Sequence, residues 1–396
     1  MPRRVNLDAA LTYAWSAGAF TSTEAMSALG LARSTTIEAI DDLVSLGFLR
    51  ELPNARAAGE YRNGRPSRRF ELAADSAVVV GVDAGRAHIV TTVANLRGER
   101  LVALTNALDV EADSAAERRT LIAAAVDAAL VRAGKDRDDV LSICVGVPAP
   151  VDREGRSPAH RENFWARMNP ELLELFAWVP IARVANDASL ASVAEHAHGA
   201  AVGLHDTVTL LAGDRFGAGV VVDGNRLHGA HGGVAETLVL RNLEGVGEAY
   251  GIGYQIGAWA RARVAAGDLP AGHALRQLPA EAVTAPVVLE LASQGDAESV
   301  AIAERAGMVL SRIAGVFGSL YDPERIIIAG AVAAGIEEVL EVARGRLPGE
   351  LDLPAPELVA SALGADVVSV GAVAAALEAA RDGALHIGGP TSEARH

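Results

Sequence analysis

The chain has 396 residues, half of them hydrophobic, and a formal net charge of −15. That length holds two or three domains with sizeable cores of mixed α/β type. A single cysteine, Cys144, excludes an internal disulfide and a thiolate metal cluster; with no run near the ~18 apolar residues of a membrane span and no apolar signal core at the start, a cytoplasmic protein without a membrane partner is expected.

The acidity is uneven. Residues 1–75 balance nine arginines against nine acids, and 56–69 carry five arginines against Glu60 alone. Leu7, Leu11, Ala14 and Trp15 predict a short amphipathic helix over 7–17. Thr21 with Glu24 three residues on is a capping box, and Gly30 stops that helix. "LARSTTIEAIDDLVSLG" predicts a second helix, apolar at Ile37, Ile40, Leu43 and Val44. Helix, short turn, helix is the helix-turn-helix arrangement, and "FLREL" with "SRRFEL" predicts two strands around an arginine-rich wing. Arg33, Ser34 and Thr35 open the second helix, where short polar side chains and free amides meet bases and phosphates. Arg65, Arg68 and Arg69 stand on the wing, with Arg65 placed for a minor groove. Glu38, Asp41 and Asp42 on the same helix repel phosphate, which confines DNA contact to its first turn and the wing. A small helical module for protein contacts is the alternative.

From Ala77 the pattern becomes "AVVVGVDAG", "AHIVTTVANLRGE" and "RLVALTNAL", three strands in succession with an acid-glycine turn after the first. An Ala-rich helix over about 114–133 follows, then the strand "DVLSICVGV" and a Gly/Pro loop. "HDTVTLLAGDRFGAGVVVDGNRLHG" repeats strand, acid-glycine turn, strand. Two such openings predict an internal duplication into two lobes with a cleft. "DPERIIIAG" followed by a helix suits a ligand at a strand's C-terminal end.

In their order these segments resemble the ROK family of repressors and sugar kinases. "GVDAGRAHI" matches its first phosphate loop, "GVPAPVDREG" its interlobe segment, "RVANDASLASVAEH" its Asn-Asp motif, "LLAGDRFGAGVVVDGNRLHGAHGGVAE" its second phosphate loop and sugar-binding Glu, and "VSVGAVAAALEAA" its closing helix. The resemblance implies an α/β, two-lobed actin-like ATPase (sugar kinase-like) fold preceded by a winged helix-turn-helix domain. The division expected is a DNA-binding domain over 1–75, a first lobe over 76–200 and a second over 201–396, with a final helix near 368–382 returning to the first lobe. The resemblance makes Asp187 the catalytic base of any surviving kinase activity. It makes Asn163, Asn186, Asp187, Glu236 and Glu248 ligand-binding, and Asp83, Gly85, Arg86, Gly213, Asp214, Gly217 and Gly330 the remains of a nucleotide site. Asn186 and Asp187 also read as a helix cap.

The departures are informative. The family's zinc-binding His after Glu236 is absent, and no cysteine follows 144, so no metal site is expected; His228 and His231 read as loop surface. Arg86-Ala87, Asp214-Arg215 and Ala331 replace small or hydroxylated residues of the nucleotide loops, so ATP with magnesium is not expected as a cofactor. Arg86 could pair with Asp83 or Asp214 and plug the site. The function read from these residues is a DNA-binding ROK regulator, working as a homodimer or larger homo-oligomer on double-stranded operator DNA, with a sugar-like ligand in the cleft. A sugar kinase with a DNA-binding appendage, and a regulator controlled by a protein partner or a non-sugar ligand, are the alternatives.

Overall fold

The computed structural model describes residues 2–53, 68–108, 114–160, 163–247 and 250–386, without the side chains of Pro2 and Arg3. They divide into two compact units. Unit one comprises residues 1–145, 171–183 and 373–396; unit two comprises 146–170 and 184–372.

Unit one begins with α1 (Pro2–Ser16), β1 (Phe20–Thr21), α2 (Ser22–Leu29), α3 (Arg33–Ser45), β2 (Leu49–Leu52) and β3 (Arg69–Leu72). α1 starts five residues earlier than its apolar spacing predicts, because Pro2 is well tolerated in a first helical turn. The capping box forms as expected: Thr21 N–H donates to Glu24 Oε2 at 2.6 Å and Glu24 N–H to Thr21 Oγ1 at 3.3 Å. Gly30 closes α2 with φ 64°, a left-handed geometry that glycine adopts without steric cost. α3 buries Thr36, Ala39, Ile40 and Leu43. The strands form an antiparallel sheet of order β1-β3-β2, with Leu49 opposite Leu72 and Phe20 opposite Phe70. Three helices against this small sheet make a winged-helix module; its wing tip, with Arg65, lies outside the described residues.

The rest of unit one is built on β4 (Val78–Ala84), β5 (His88–Asn95), β6 (Arg100–Ala107), α4 (Ala115–Ala133), β7 (Val140–Val147), α5 (Phe164–Met168), α6 (Leu172–Leu175) and β8 (Ile181–Asn186), of which α5 and the ends of β7 and β8 belong to unit two. The sheet order is β6-β5-β4-β7-β8, and β4 is buried along its whole length. The module is tied to this sheet. Ala73 N–H donates to Phe48 O at 2.8 Å, and Leu96 N–H to Ala74 O at 3.0 Å. Arg97, on the β5–β6 turn, donates to Trp15 O at 3.0 Å and Ala17 O at 2.7 Å, at the C-terminal end of α1.

Unit two carries α7 (Asp187–His198), β9 (Thr207–Leu211), β10 (Gly217–Val222), β11 (Asn225–Arg226), α8 (Ile252–Ala266), α9 (Ala285–Ser293), α10 (Ala297–Tyr321), β12 (Arg325–Ala329), α11 (Glu337–Arg346), β13 (Glu357–Ala360) and the start of α12 (Val367–Gly383), whose remainder belongs to unit one. Its sheet order, β11-β10-β9-β12-β13, matches the other strand for strand: three antiparallel neighbours, then two more strands. β12 lies parallel to both β9 and β13. The duplication is therefore architectural. Glycines set the packing of α7. A Cβ at Gly219 would stand 2.5 Å from Ala188 O, and one at Gly371 on α12 would stand 1.9 Å from Leu190 O. Among the described residues no helix is long and apolar enough to cross a membrane.

Candidate functional site

In the winged-helix module, α3 starts at Ala32, which supplies no side-chain cap, so first-turn amides are left for an outside acceptor. Arg33 and Ser34 are exposed there and Thr35 is half-buried. Arg68 is more committed than its sequence position suggests. It donates to Asp41 at 2.8 Å and Glu51 at 2.9 Å, and its guanidinium lies 4.9 Å from the Phe70 ring centre. Its hydrogen bonds to Glu51 and Asp41 raise its pKa further, and Arg68 in turn holds Glu51 below the ordinary carboxylate range. Asp41 thus shares the Arg68 guanidinium with Glu51 within the module. Arg69 is half-buried in β3, opposite Thr21 and Leu52.

In unit one the acid-glycine turn follows β4. Asp83 is buried, and His88 Nε2–H donates to its Oδ2 at 3.1 Å. A Cβ at Gly85 would stand 2.7 Å from the His88 ring, so glycine is what lets the imidazole lie across the turn. Beneath it, Arg118 of α4 is fully buried and donates to Ala84 O and, at 2.9 Å, to Gly85 O. Arg86 is exposed. Of the two partners open to Arg86, Asp83 is taken by His88 instead. The physical reason is reach: His88 heads β5, which is hydrogen-bonded to β4, whereas Arg86 sits at the turn's outer tip.

The corresponding turn in unit two joins β9 to β10. Its carbonyls face the start of α8: Gly253 N–H donates to Ala212 O at 3.0 Å, Tyr254 N–H to Gly213 O at 3.1 Å and Gly251 N–H to Asp214 O at 2.9 Å. Three amides that a helix N-terminus could offer a phosphate are already taken. Asp214 and Arg215 are exposed, and Arg215 lies 5.3 Å from the centre of the Tyr250 ring, which stacks on Tyr254 at 4.4 Å. Gly330, after β12, has φ 95° and ψ −177°, a region open essentially to glycine alone. In turn two the carbonyls thus occupy the first amides of α8, whereas in turn one Arg118 serves the carbonyls.

The Asn-Asp motif sits where β8 becomes α7. Asn186 caps the helix through Oδ1, accepting Ser189 N–H at 3.0 Å, and its Nδ2 donates to Ala149 O at 3.2 Å and Asp187 Oδ1 at 3.0 Å. Ala188 N–H also donates to Asp187 Oδ1, at 2.8 Å, which fixes the half-buried carboxylate. The cap and the polar site are one structure. Gly217 faces it: a Cβ there would stand 3.9 Å from Asp187 Oδ1 and 2.9 Å from Ala188 Cβ.

Glu236 is joined to the same turn. Thr237 Oγ1 donates to Phe216 O at 2.6 Å, and the Glu236 carboxyl feels the charge of Arg215. Ala235 before it has φ 58°, an uncommon conformation for alanine that costs about 1 kcal/mol or more. Glu236 is exposed yet crowded, and desolvation raises its carboxyl above the ordinary value. Thr237 N–H and the charges of Arg215 and His160 oppose that shift. Its open surface keeps the displacement modest. Asn163 is exposed with φ 52°, and its N–H donates to His160 O at 3.0 Å; the His160 ring packs tilted against Trp165, with centroids 4.5 Å apart. Asn186 and Asp187 thus lie against Gly217, while Thr237 ties the segment after Glu236 to the neighbouring Phe216. Glu248 lies outside the described residues. Burial, with the charges of Arg226 and Arg153, lowers the pKa of His228, and among the described residues no group of three His, Cys, Asp or Glu assembles around a metal position.

His88, Arg118, His160 and Arg215 were not assigned ligand or bracing roles from sequence. Arg118 alone left a signal there: it falls four residues before Ile122 on the apolar face of α4.

The family model for ROK matches residues 79–238. A glucokinase of Halalkalibacterium halodurans is 27% identical over 284 residues, 66% of this chain and 82% of the relative. A crystal structure of a ROK-family transcriptional regulator, a homologue of the E. coli MLC protein, is similar with a TM-score of 0.73 at 20% identity, over 98% of each chain. A ROK-family glucokinase from Streptomyces griseus, in complex with glucose and AMPPNP, has a TM-score of 0.65 at 23% identity, over 76% of this chain and 99% of its own. At such identities the two structures establish the fold.

Proposed function

Because residues 79–238 match the ROK family model, we propose that this chain is a transcriptional regulator that binds operator DNA through its winged-helix module and a hydroxylated, sugar-like ligand at the Asn186–Asp187–Glu236 site. The carrying observation is the module: α3 begins with uncapped amides and exposed Arg33 and Ser34, beside a wing whose sequence is arginine-rich. The resemblance to a solved regulator over nearly the whole chain supports this. So do the occupied amides of α8, which argue against nucleotide chemistry. A homodimer would present two modules to two half-sites, and the ligand would act by differential affinity for two arrangements of the chain.

The test is selection of duplexes from a random pool by the full chain, followed by anisotropy titration at several salt concentrations. Enrichment, a negative slope of affinity against salt, and a loss of about 1–3 kcal/mol in Arg33→Ala are expected. No enrichment and no salt dependence would overturn the DNA reading.

A second reading, an ATP-dependent sugar kinase, is favoured by Asp187, held by two hydrogen bonds beside Gly217 as a base for a hydroxyl proton, and by the glucokinase relative. Phosphorylation of glucose by ATP that disappears in Asp187→Ala would establish it.

A further inference from the structure

We propose that Arg68 is a positioning residue of the winged-helix module: by bridging Asp41 and Glu51 it fixes α3 against the base of the wing, and so sets which bases the first turn of α3 meets, while making no phosphate contact of its own. This deepens the DNA reading of the module and rests on it.

Arg68 immediately precedes β3, at the end of the arginine-rich stretch of the sequence. Its Nη1–H donates to Asp41 Oδ1 of α3 at 2.8 Å and its Nη2–H to Glu51 Oε2 of β2 at 2.9 Å. One planar fork thus joins α3, β2 and the start of β3, with the guanidinium 4.9 Å from the centre of the buried Phe70 ring. The side chains of Arg68, Asp41 and Glu51 are 46%, 48% and 41% exposed, and ion pairs so open to water add little to stability. The bridge therefore serves placement more than folding.

Charge decides what the guanidinium does not do. One positive group faces two carboxylates, so the cluster as a whole is negative. Moving Arg68 to a phosphate would strip both acids of this partner beside the DNA backbone. Arg50 on β2 is likewise engaged, with Glu71 opposite it on β3 at 2.6 Å. Asp41 lies eight residues beyond Arg33, the first residue of α3, which is about 12 Å along the helix. A swing of α3 by about 10° around that point carries Arg33 and Ser34 through about 2 Å, more than a base-edge hydrogen bond tolerates. Phosphate contacts carry the salt dependence of binding, and base contacts specify. Losing the bridge therefore costs discrimination before it costs general attraction.

The experiment is anisotropy titration of the full chain, at several salt concentrations, with a duplex selected by the wild type from a random pool and with a scrambled duplex of the same composition. In Arg68→Met the preference for the selected duplex should fall about tenfold, while the salt slope on the scrambled duplex stays at its wild-type value. Arg68→Lys should lose the same preference, because charge without the rigid fork cannot hold both acids. The double variant Asp41→Asn with Glu51→Gln should lose it too and, with Arg68 released, steepen the salt slope by about one; adding Arg68→Met should remove that steepening. A slope shallower by about one in Arg68→Met alone would put Arg68 on a phosphate and overturn the proposal, as would a preference left intact. If Arg68→Met does not fold, the double variant decides: an unaltered preference there overturns the proposal. A wild type that selects no duplex sinks the DNA reading and the proposal with it, an outcome distinct from the others.

Discussion

In unit one the turn after β4 is braced from beneath by a buried guanidinium and closed from above by an imidazole. In unit two the turn after β9 is braced by the amides of a helix, and its arginine is left at the surface. Both turns join the first two strands of sheets with the same order. A duplicated backbone thus constrains where a turn lies, while the groups that satisfy its carbonyls are free to differ. Turn one spends side chains on its own support. Turn two is supported by the amides of α8 together with the Thr237 hydroxyl, and Arg215 stays at the surface over Tyr250.

The largest expected effect comes from removing the brace of turn one. Arg118→Met leaves Ala84 O and Gly85 O without that donor, at a cost of about 3 kcal/mol. Urea unfolding followed by hydrogen exchange on β4 should report it; wild-type stability would mean the guanidinium is no brace. Next is Gly251→Ala, whose Cβ would stand 2.2 Å from Gly213 O and must displace turn two, by about 2 kcal/mol. Exchange should quicken at 212–216 and not at 84–88. If both turns respond, they are not independently supported. His88→Ala should cost only about 1 kcal/mol or less, because its side chain is 45% exposed.

The smallest effect has the opposite sign. The Glu236 carboxyl is raised in the folded state, so the folded chain binds its proton more readily than the unfolded chain. Stability then falls as pH rises from the ordinary carboxylate range through the raised value. Glu236→Gln should flatten that part of the profile and slightly raise the melting temperature at neutral pH. A lowered temperature there would show that the charge is stabilising in place.

Much of the fold was legible because it rests on local chemistry. Thr21 with Glu24 forms the capping box seen in the sequence, and the Ala-rich helix begins one residue from its expected start, with its own box at Ser114 and Glu117. The Asn186 cap was legible for the same reason. His88 was not. It meets Asp83 because β4 and β5 pair with Asp83 opposite Val90, which puts His88 diagonally across on the same face. That relation exists only once the register is fixed. The ion pairs of Arg68 were illegible for a related cause: its partners Asp41 and Glu51 are 27 and 17 residues away, and only the folded module brings them within reach.

The two hydrogen bonds from Arg97 to the end of α1 bear on how such a protein can be cut and rejoined. A chimaera spliced after residue 75 takes the winged-helix module but leaves behind the guanidinium that finishes α1. The transplanted module would arrive with Trp15 O and Ala17 O unserved and with no fixed bearing on its new sheet. The transferable piece instead includes the β5–β6 turn, so the heritable boundary of the module runs through the sheet rather than along the chain.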